Sequence, residues 1–213
     1  MALPRPCLML VSDRSLCAGE DGLVAAVEAA VAGGVDAVQL REKQLAASEL
    51  SSLARRLRPA TLGRALLLVN GSLEVALAAE ADGVHLPGAA PPVGRPRHDF
   101  LVGRSVHSLA AARRAEAEEV DYLIAGPIYE TRSHPGREPA GLTLIQEIAA
   151  GVRTPTLAIG GVTVARVEEV LRAGASGVAV ISAVLRQPDR RVAARGLRRA
   201  LDATWAAVGA APS

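Results

Sequence analysis

Aromatic side chains are scarce in this sequence, which has one Phe, one Trp and two Tyr among 213 residues. Proteins that hold single-stranded nucleic acid stack its bases on aromatic side chains. Binding to the phosphate backbone requires an excess of positive charge, and the formal net charge here is only +2. We therefore expect no nucleic acid partner.

Cysteine and long apolar runs are also rare. Cys7 and Cys17 are the only cysteines, which is too few for a disulfide framework, and they lack the spacing of a metal site. Ser12 and Asp13 interrupt the first apolar run, so it is shorter than the roughly 7 to 15 apolar residues of a secretion signal. No stretch of about 18 uncharged apolar residues is present to span a bilayer. These absences predict a cytoplasmic protein that does not enter a membrane.

Lysine is nearly absent, since Lys43 is the only one among the 24 basic residues. Arginine can replace lysine on a solvated surface, but not in a site that needs a compact ammonium group. Lys43 is therefore a candidate site residue before any motif is considered. Chance is the alternative explanation.

What the sequence does contain is a regular alternation of short apolar runs with segments of helical spacing. The apolar runs are continuous, as in parallel strands that are buried on both faces. They span residues 8–12, 37–43, 65–70, 83–86, 100–107, 122–129, 156–160 and 177–182, and the helical segments span 22–32, 48–57, 73–79, 109–118, 144–150, 165–173 and 191–206. The pattern predicts an α/β fold, a single-domain (β/α)8 TIM barrel over residues 1–213. An open doubly wound sheet is the alternative, but a Gly-x-Gly-x-x-Gly motif is missing.

The connections between these segments carry the expected punctuation. Ser72, Ser108 and Thr163 stand where helix N-caps are expected, and glycines such as Gly174 stand where helices should end. Residues 89–99 contain three prolines, so the fourth connection is predicted to be an irregular crossover with at most a short helical turn.

Polar residues concentrate at the C-terminal ends of the runs, where the active site of a TIM barrel lies. The second run ends with Gln39, Arg41 and Lys43 on one face, because the side chains of a strand alternate. Two neighbouring cations directed into the barrel mouth would bind phosphate or carboxylate. The alternative is an outward-facing row that pairs with Glu42 and neighbouring acids.

The fifth run places Ser105 and His107 on one face, with His107 at its end. A histidine with a pKa near 6.5 accepts and returns a proton at neutral pH without a cofactor. His107 is therefore the candidate for proton transfer, and the alternative is a histidine that only caps the following helix. His85 ends the fourth run and is a weaker candidate. His98 and His134 lie in Pro-rich loops and rank lowest.

The last two runs indicate a phosphate site. The residues at their ends are Gly160, Gly161, Ile181 and Ser182. Loops at these two positions of a barrel commonly hold phosphate through backbone N–H groups, although a Gly-Gly pair also suits a tight turn. Residues 126–137 form a long polar loop, which we expect to act as a lid. Asn70 is either a turn residue or a ligand for an amide or ring nitrogen.

Seven short motifs occur in one order along the chain. They are QLREK (39–43), NG (70–71), GVHL (83–86), SVHS (105–108), GPIYET (126–131), GG (160–161) and IS (181–182). This ordered set resembles the thiamine phosphate synthase and thiazole tautomerase superfamily, from about residue 8 to about residue 185.

The resemblance implies a role in thiamine biosynthesis, and two aspartates separate its branches. In the synthases, which join a pyrimidine pyrophosphate to a thiazole phosphate, these aspartates hold Mg²⁺; here Gly71 and, by alignment, Ala90 stand in their places. Neither side chain has an oxygen for a hard cation. The sequence ETRSH (130–134) and the motif GRSVHS (103–108) also resemble the tautomerase branch. We therefore expect a thiazole tautomerase, an isomerase without a cofactor, whereas Mg²⁺ would be needed only by a synthase.

For a tautomerase, the resemblance implies that a carboxythiazole phosphate is aromatised by proton transfer. The implied catalytic residue is His107, the implied substrate-binding residues are Gln39, Arg41, Lys43, Asn70, Ser105 and Thr131, the implied phosphate-binding residues are Gly160, Gly161, Ile181 and Ser182, and no metal ligand is implied. One alternative is a thiamine phosphate synthase, which is a transferase, with an unusual metal arrangement. The other is a non-catalytic regulatory relative. The expected partner is a phosphorylated thiazole, and the sequence leaves a homo-oligomer open.

Overall fold

The computed structural model describes residues 2–131, 136 and 138–209. In this part of the chain, eight parallel strands pair in sequence order, and the eighth pairs with the first to close a barrel. The strands are β1 (Cys7–Val11), β2 (Ala37–Leu40), β3 (Leu66–Asn70), β4 (Gly83–Leu86), β5 (Leu101–Val106), β6 (Tyr122–Ala125), β7 (Thr156–Ile159) and β8 (Gly177–Val180). The predicted (β/α)8 TIM barrel is confirmed.

Helices surround the barrel and cover the outer faces of the strands. In the described residues they are α1 (Gly19–Ala32), α2 (Ala47–Thr61), α3 (Leu73–Ala78), α4 (Leu109–Ala117), α5 (Gly141–Gly151), α6 (Val167–Arg172), α7 (Ser182–Leu185) and α8 (Arg190–Gly209), with short 3-10 helices at Arg14–Leu16 and Val164–Arg166. Buried residues of α1 such as Leu23, Val27 and Ala30 recur every three or four positions, so that one face packs on the barrel. None of these helices, within the part described, has the length and apolarity needed to cross a bilayer.

The core has two layers because strand side chains point alternately inward and outward. In β1, Met9 belongs to the cluster inside the barrel, while Leu8 and Leu10 belong to the cluster between strands and helices. Tyr122, at the start of β6, is fully buried in the inner cluster. The inner layer fills the barrel below the strand ends and forms a floor under its mouth.

Three strands end two or more residues earlier than predicted, after Leu40, Ala125 and Val180. The prediction of a strand through residues 41–43 is wrong because the Arg41 backbone N–H donates to the Ser12 hydroxyl at 2.8 Å rather than to a neighbouring strand. The chain leaves the barrel at these points. The residues that follow the strand ends can therefore line a site at the mouth of the barrel.

The fourth crossover has no helix between β4 and β5 in the described residues, as predicted. The side chain of Arg104, which is 4% exposed, supports this segment from β5. Its Nη1 donates to the Ala90 carbonyl at 2.6 Å, and its Nη2 lies 2.8 Å from Glu118 Oε2. A buried cation thus holds a loop that other crossovers would secure with a packed helix.

Most of the predicted helix ends are confirmed. The Ser72 and Ser108 hydroxyls accept the backbone N–H groups of Val75 and Ala111 at 3.1 and 3.2 Å, as expected of N-caps. Thr163 precedes the second 3-10 helix, but its side chain makes no capping hydrogen bond. Gly174 follows α6 with φ 105, a conformation that suits glycine at the end of a helix.

Candidate functional site

A cavity of about 350 Å³ lies at the C-terminal ends of the strands. All of the predicted site residues line it, namely Gln39, Arg41, Lys43, Asn70, Ser105, His107, Thr131, Gly160, Gly161, Ile181 and Ser182. The structure therefore brings these residues together at the barrel mouth, as predicted. Their roles in binding or catalysis stay predictions.

The charged side chains on the cavity wall are basic. Arg41 and Lys43 line the cavity, and no Asp or Glu is among its described lining residues. Glu42 turns away from them, since its carboxylate accepts the Ser12 hydroxyl at 2.6 Å and the Arg14 backbone N–H at 3.1 Å. The alternative of an outward-facing row paired with Glu42 is therefore wrong. Within the described residues neither cation has an ion-pair partner, so the cavity is suited to an anion.

Ser12, directly after β1, fixes the segment that carries the two cations. Its hydroxyl accepts the Arg41 N–H and donates to Glu42, which is 7% exposed. Burial raises the pKa of Glu42, while the hydrogen bonds from the Ser12 hydroxyl and the Arg14 backbone N–H oppose the rise. Burial likewise lowers the pKa of Arg41. Sequence reasoning missed Ser12, although a hydroxyl that ends an otherwise apolar strand was a usable signal.

His107 follows β5 and has one nitrogen committed. Its Nδ1 lies 2.6 Å from the Gly126 carbonyl oxygen, and a carbonyl only accepts, so Nδ1 carries the hydrogen. In the neutral ring Nε2 is then an acceptor. The alternative of a histidine that only caps the helix is wrong, because Ser108 caps α4. The arrangement gives His107 the tautomer that a proton acceptor needs.

His85, the weaker candidate for proton transfer in the sequence analysis, also lines the cavity. It is 1% exposed, and its two nitrogens lie 3.2 Å from the Tyr122 hydroxyl and 2.8 Å from Ser105 Oγ. Burial, with a smaller contribution from Arg41 and Arg104, lowers the pKa of His85 to about 3. His85 is therefore a neutral residue of the cavity floor at physiological pH and not a second proton carrier.

The glycine pair after β7 is required by packing as well as by conformation. Gly160 and Gly161 have φ values of 98 and 66. A Cβ on Gly160 would lie 2.7 Å from Pro127 Cβ, and one on Gly161 would lie 2.6 Å from the Glu130 carbonyl oxygen. These contacts also support the alternative of a tight turn. Phosphate binding by this pair stays a prediction.

The remaining predicted residues occupy separate parts of the cavity wall. Gln39 is 2% exposed and its Nε2 lies 3.8 Å from Met9 Sδ. Asn70 ends β3 and pairs in register with His85. Of the predicted lid, residues 126–131 and 136 are described and Thr131 lines the cavity. The other lid residues, including His134, lie outside the described residues.

The donor set does not fit a magnesium site of the synthase kind. Gly71 and Ala90 offer no side-chain oxygen, and the described residues contain no group of three His, Cys, Asp or Glu side chains that could hold a metal ion. Gly71 has φ 85, and its N–H donates to the His85 carbonyl at 2.8 Å. The Ala90 N–H donates to the Pro87 carbonyl at 3.0 Å, so both positions that hold aspartates in the synthases lie in turns here.

Comparison with known proteins gives consistent results. A family model described as thiamine monophosphate synthase matches residues 8–184. The thiamine-phosphate synthase of Methanoculleus marisnigri is 49% identical over 175 residues, which cover 79% of this chain and 83% of that protein. A putative thiamine-phosphate synthase of Geobacter sulfurreducens is 43% identical, with 89% and 92% covered. The structure of a thiamine phosphate pyrophosphorylase from Pyrococcus furiosus aligns with a TM-score of 0.80 and 34% identity, over 93% of this chain and 96% of that one.

Proposed function

The chain belongs to the thiamine monophosphate synthase family, and we propose that it is a thiazole tautomerase, which moves a proton on a carboxythiazole phosphate held in the cavity. The observation that carries this proposal is the tautomer of His107. Its Nδ1 donates to the Gly126 carbonyl, which leaves Nε2 as an acceptor beside a basic cavity.

The proposed reaction is an isomerisation, so one group that accepts and returns a proton is sufficient. His107 Nε2 removes a proton from the non-aromatic ring, and a proton is returned at the exocyclic carbon as the ring becomes aromatic. While the ring of His107 is doubly protonated, its Nδ1–H remains bonded to the Gly126 carbonyl. This bond fixes the orientation of the imidazole through both steps.

The other lining residues would hold the substrate in place. Arg41 and Lys43 face the ring carboxylate or the negative charge that develops on the ring. Backbone groups of Gly161, Ile181 and Ser182, together with the Ser182 hydroxyl, hold the phosphate. Asn70 and Thr131 orient the ring, as do Gln39 and Ser105. Positioning of this kind lowers the barrier because the reacting carbon stays near His107.

The second candidate is thiamine phosphate synthase activity, and the comparisons favour it over the tautomerase. The relatives reported above carry the name synthase, or the equivalent name pyrophosphorylase. Synthases of the family use Mg²⁺, but Gly71 and Ala90 cannot supply the two carboxylates that would hold it. The proposed isomerisation therefore has no step that involves Mg²⁺. One experiment compares the two activities.

The experiment follows the non-aromatic carboxythiazole phosphate by NMR in EDTA, with and without enzyme. In parallel, coupling of the pyrimidine pyrophosphate to the aromatic thiazole phosphate is measured with Mg²⁺. We expect aromatisation well above the uncatalysed rate and no coupling. Coupling with Mg²⁺ and no aromatisation would replace the tautomerase by the synthase.

His107→Ala and His98→Ala form a matched pair of variants for this assay. His98 is an exposed histidine outside the cavity lining. We expect His107→Ala to lose roughly a hundredfold or more in turnover, the usual range for a general base, and to retain affinity for the thiazole phosphate. His98→Ala should behave as the wild type. Undiminished turnover in His107→Ala would remove His107 from the mechanism.

A further inference from the structure

A chain of three hydrogen-bonding side chains runs from the barrel interior to the cavity wall. The Tyr122 hydroxyl lies 3.2 Å from His85 Nδ1, and His85 Nε2 lies 2.8 Å from Ser105 Oγ. Tyr122 and His85 are buried, whereas Ser105 is partly exposed and lines the cavity. The chain therefore connects a buried phenol with a hydroxyl that a ligand can reach.

The direction of these hydrogen bonds follows from the buried end. Among the described residues, His85 is the one hydrogen-bond partner of the Tyr122 hydroxyl. A buried O–H needs an acceptor, and burial raises the pKa of Tyr122, so the phenol keeps its proton and donates a hydrogen bond to His85 Nδ1. Neutral His85 then carries its own hydrogen on Nε2, which donates to Ser105 Oγ.

We infer that Tyr122 and His85 hold the Ser105 hydroxyl as a hydrogen-bond donor toward the cavity, so that the site selects ligands with an acceptor atom at this point of the wall. Ser105 Oγ already accepts from His85, so its own proton is left for a ligand. A ring nitrogen or a carboxylate oxygen is an acceptor of the required kind. His85 is a positioning residue in this scheme, and it acts through Ser105.

The sequence makes room for this arrangement. Gly103 lies two residues before Ser105 on the inner face of β5, and a Cβ at Gly103 would overlap the Tyr122 ring. The interior therefore admits a large ring at this level only because position 103 has no side chain. The ring centroids of His85 and Tyr122 are 5.5 Å apart, so Tyr122 also packs against the imidazole that it orients.

The tautomer can be read directly from ¹⁵N NMR of the imidazole nitrogens in the wild-type protein at neutral pH. We expect His85 to carry hydrogen on Nε2, whereas neutral His107 should carry it on Nδ1 and serves as the opposite reference in the same spectrum. Hydrogen on Nδ1 of His85 would overturn the inference. This measurement does not depend on the reaction, so it stands apart from the outcome of the tautomerase assay.

Variants test the consequence for binding, which rests on the proposed ligand. Gln can accept from Tyr122 and donate to Ser105 as His85 does, whereas Leu can do neither. For the aromatic carboxythiazole phosphate, His85→Leu should lose roughly five- to tenfold in affinity, the usual effect of one hydrogen bond, and His85→Gln should restore it. Equal affinities in folded His85→Leu and wild type would contradict the inference. If His85→Leu does not fold, the wild-type tautomer decides.

Discussion

Acid should destabilise this protein through His85. Burial lowers the pKa of His85 to about 3, against about 6.5 for a histidine in an unfolded chain. Between these two values the unfolded chain binds a proton that the folded chain excludes, so the free energy of unfolding falls as the pH falls below about 6.5. At about 1.4 kcal/mol per pH unit, acidification from about pH 7 to about pH 5 should remove about 2 kcal/mol through this group.

The measurement is urea unfolding at the two pH values for the wild type and for His85→Gln. The amide keeps hydrogen bonds available to both neighbours but does not titrate, so the loss attributable to His85 should disappear in this variant. Burial raises the pKa of Asp36 and Glu42, and these groups act in the opposite direction on acidification. The difference between wild type and variant is therefore the relevant quantity.

His98→Gln is the matched control, since His98 is exposed and its replacement should leave the pH dependence unchanged. If wild type and His85→Gln lose the same unfolding free energy between the two pH values, His85 is not held neutral by the fold. That result would refute the reasoning from burial, and it would also weaken the directed hydrogen-bond chain inferred above.

Three further results are expected. Gly103→Ala would overlap the Tyr122 ring and should cost about 3 kcal/mol in urea unfolding; an unchanged midpoint would contradict this packing. Arg104→Met removes the buried side chain that holds the fourth crossover and should cost about 2 kcal/mol. Arg113→Met, at an exposed position, should cost less than about 0.5 kcal/mol. Equal costs would argue against this role of Arg104. Lys43→Met should weaken calorimetric binding of carboxythiazole phosphate roughly tenfold, and equal weakening for the thiazole phosphate without the carboxylate would move Lys43 away from that group.

The sequence alone determined the architecture and the composition of the cavity wall. Continuous apolar runs alternating with helical segments specify parallel strands with helices outside, because a strand buried on both faces cannot alternate. Closure of the barrel then brings residues as distant as Arg41 and Ser182 to one mouth. The punctuation by Ser72, Ser108 and the prolines of the fourth crossover was equally local, since caps and ring constraints act within a few residues.

Tertiary structure alone decided which donors and acceptors are satisfied. Glu42 accepts from Ser12, Gly126 accepts from His107 Nδ1, and Tyr122 contacts His85, and each pair joins residues in or directly after different strands. No periodicity within one strand records them, because they depend on register and on the stagger of the closed barrel. The same contacts remove a negative charge from the wall and set the tautomers of two histidines, so the chemical state of the site was determined only by the folded barrel.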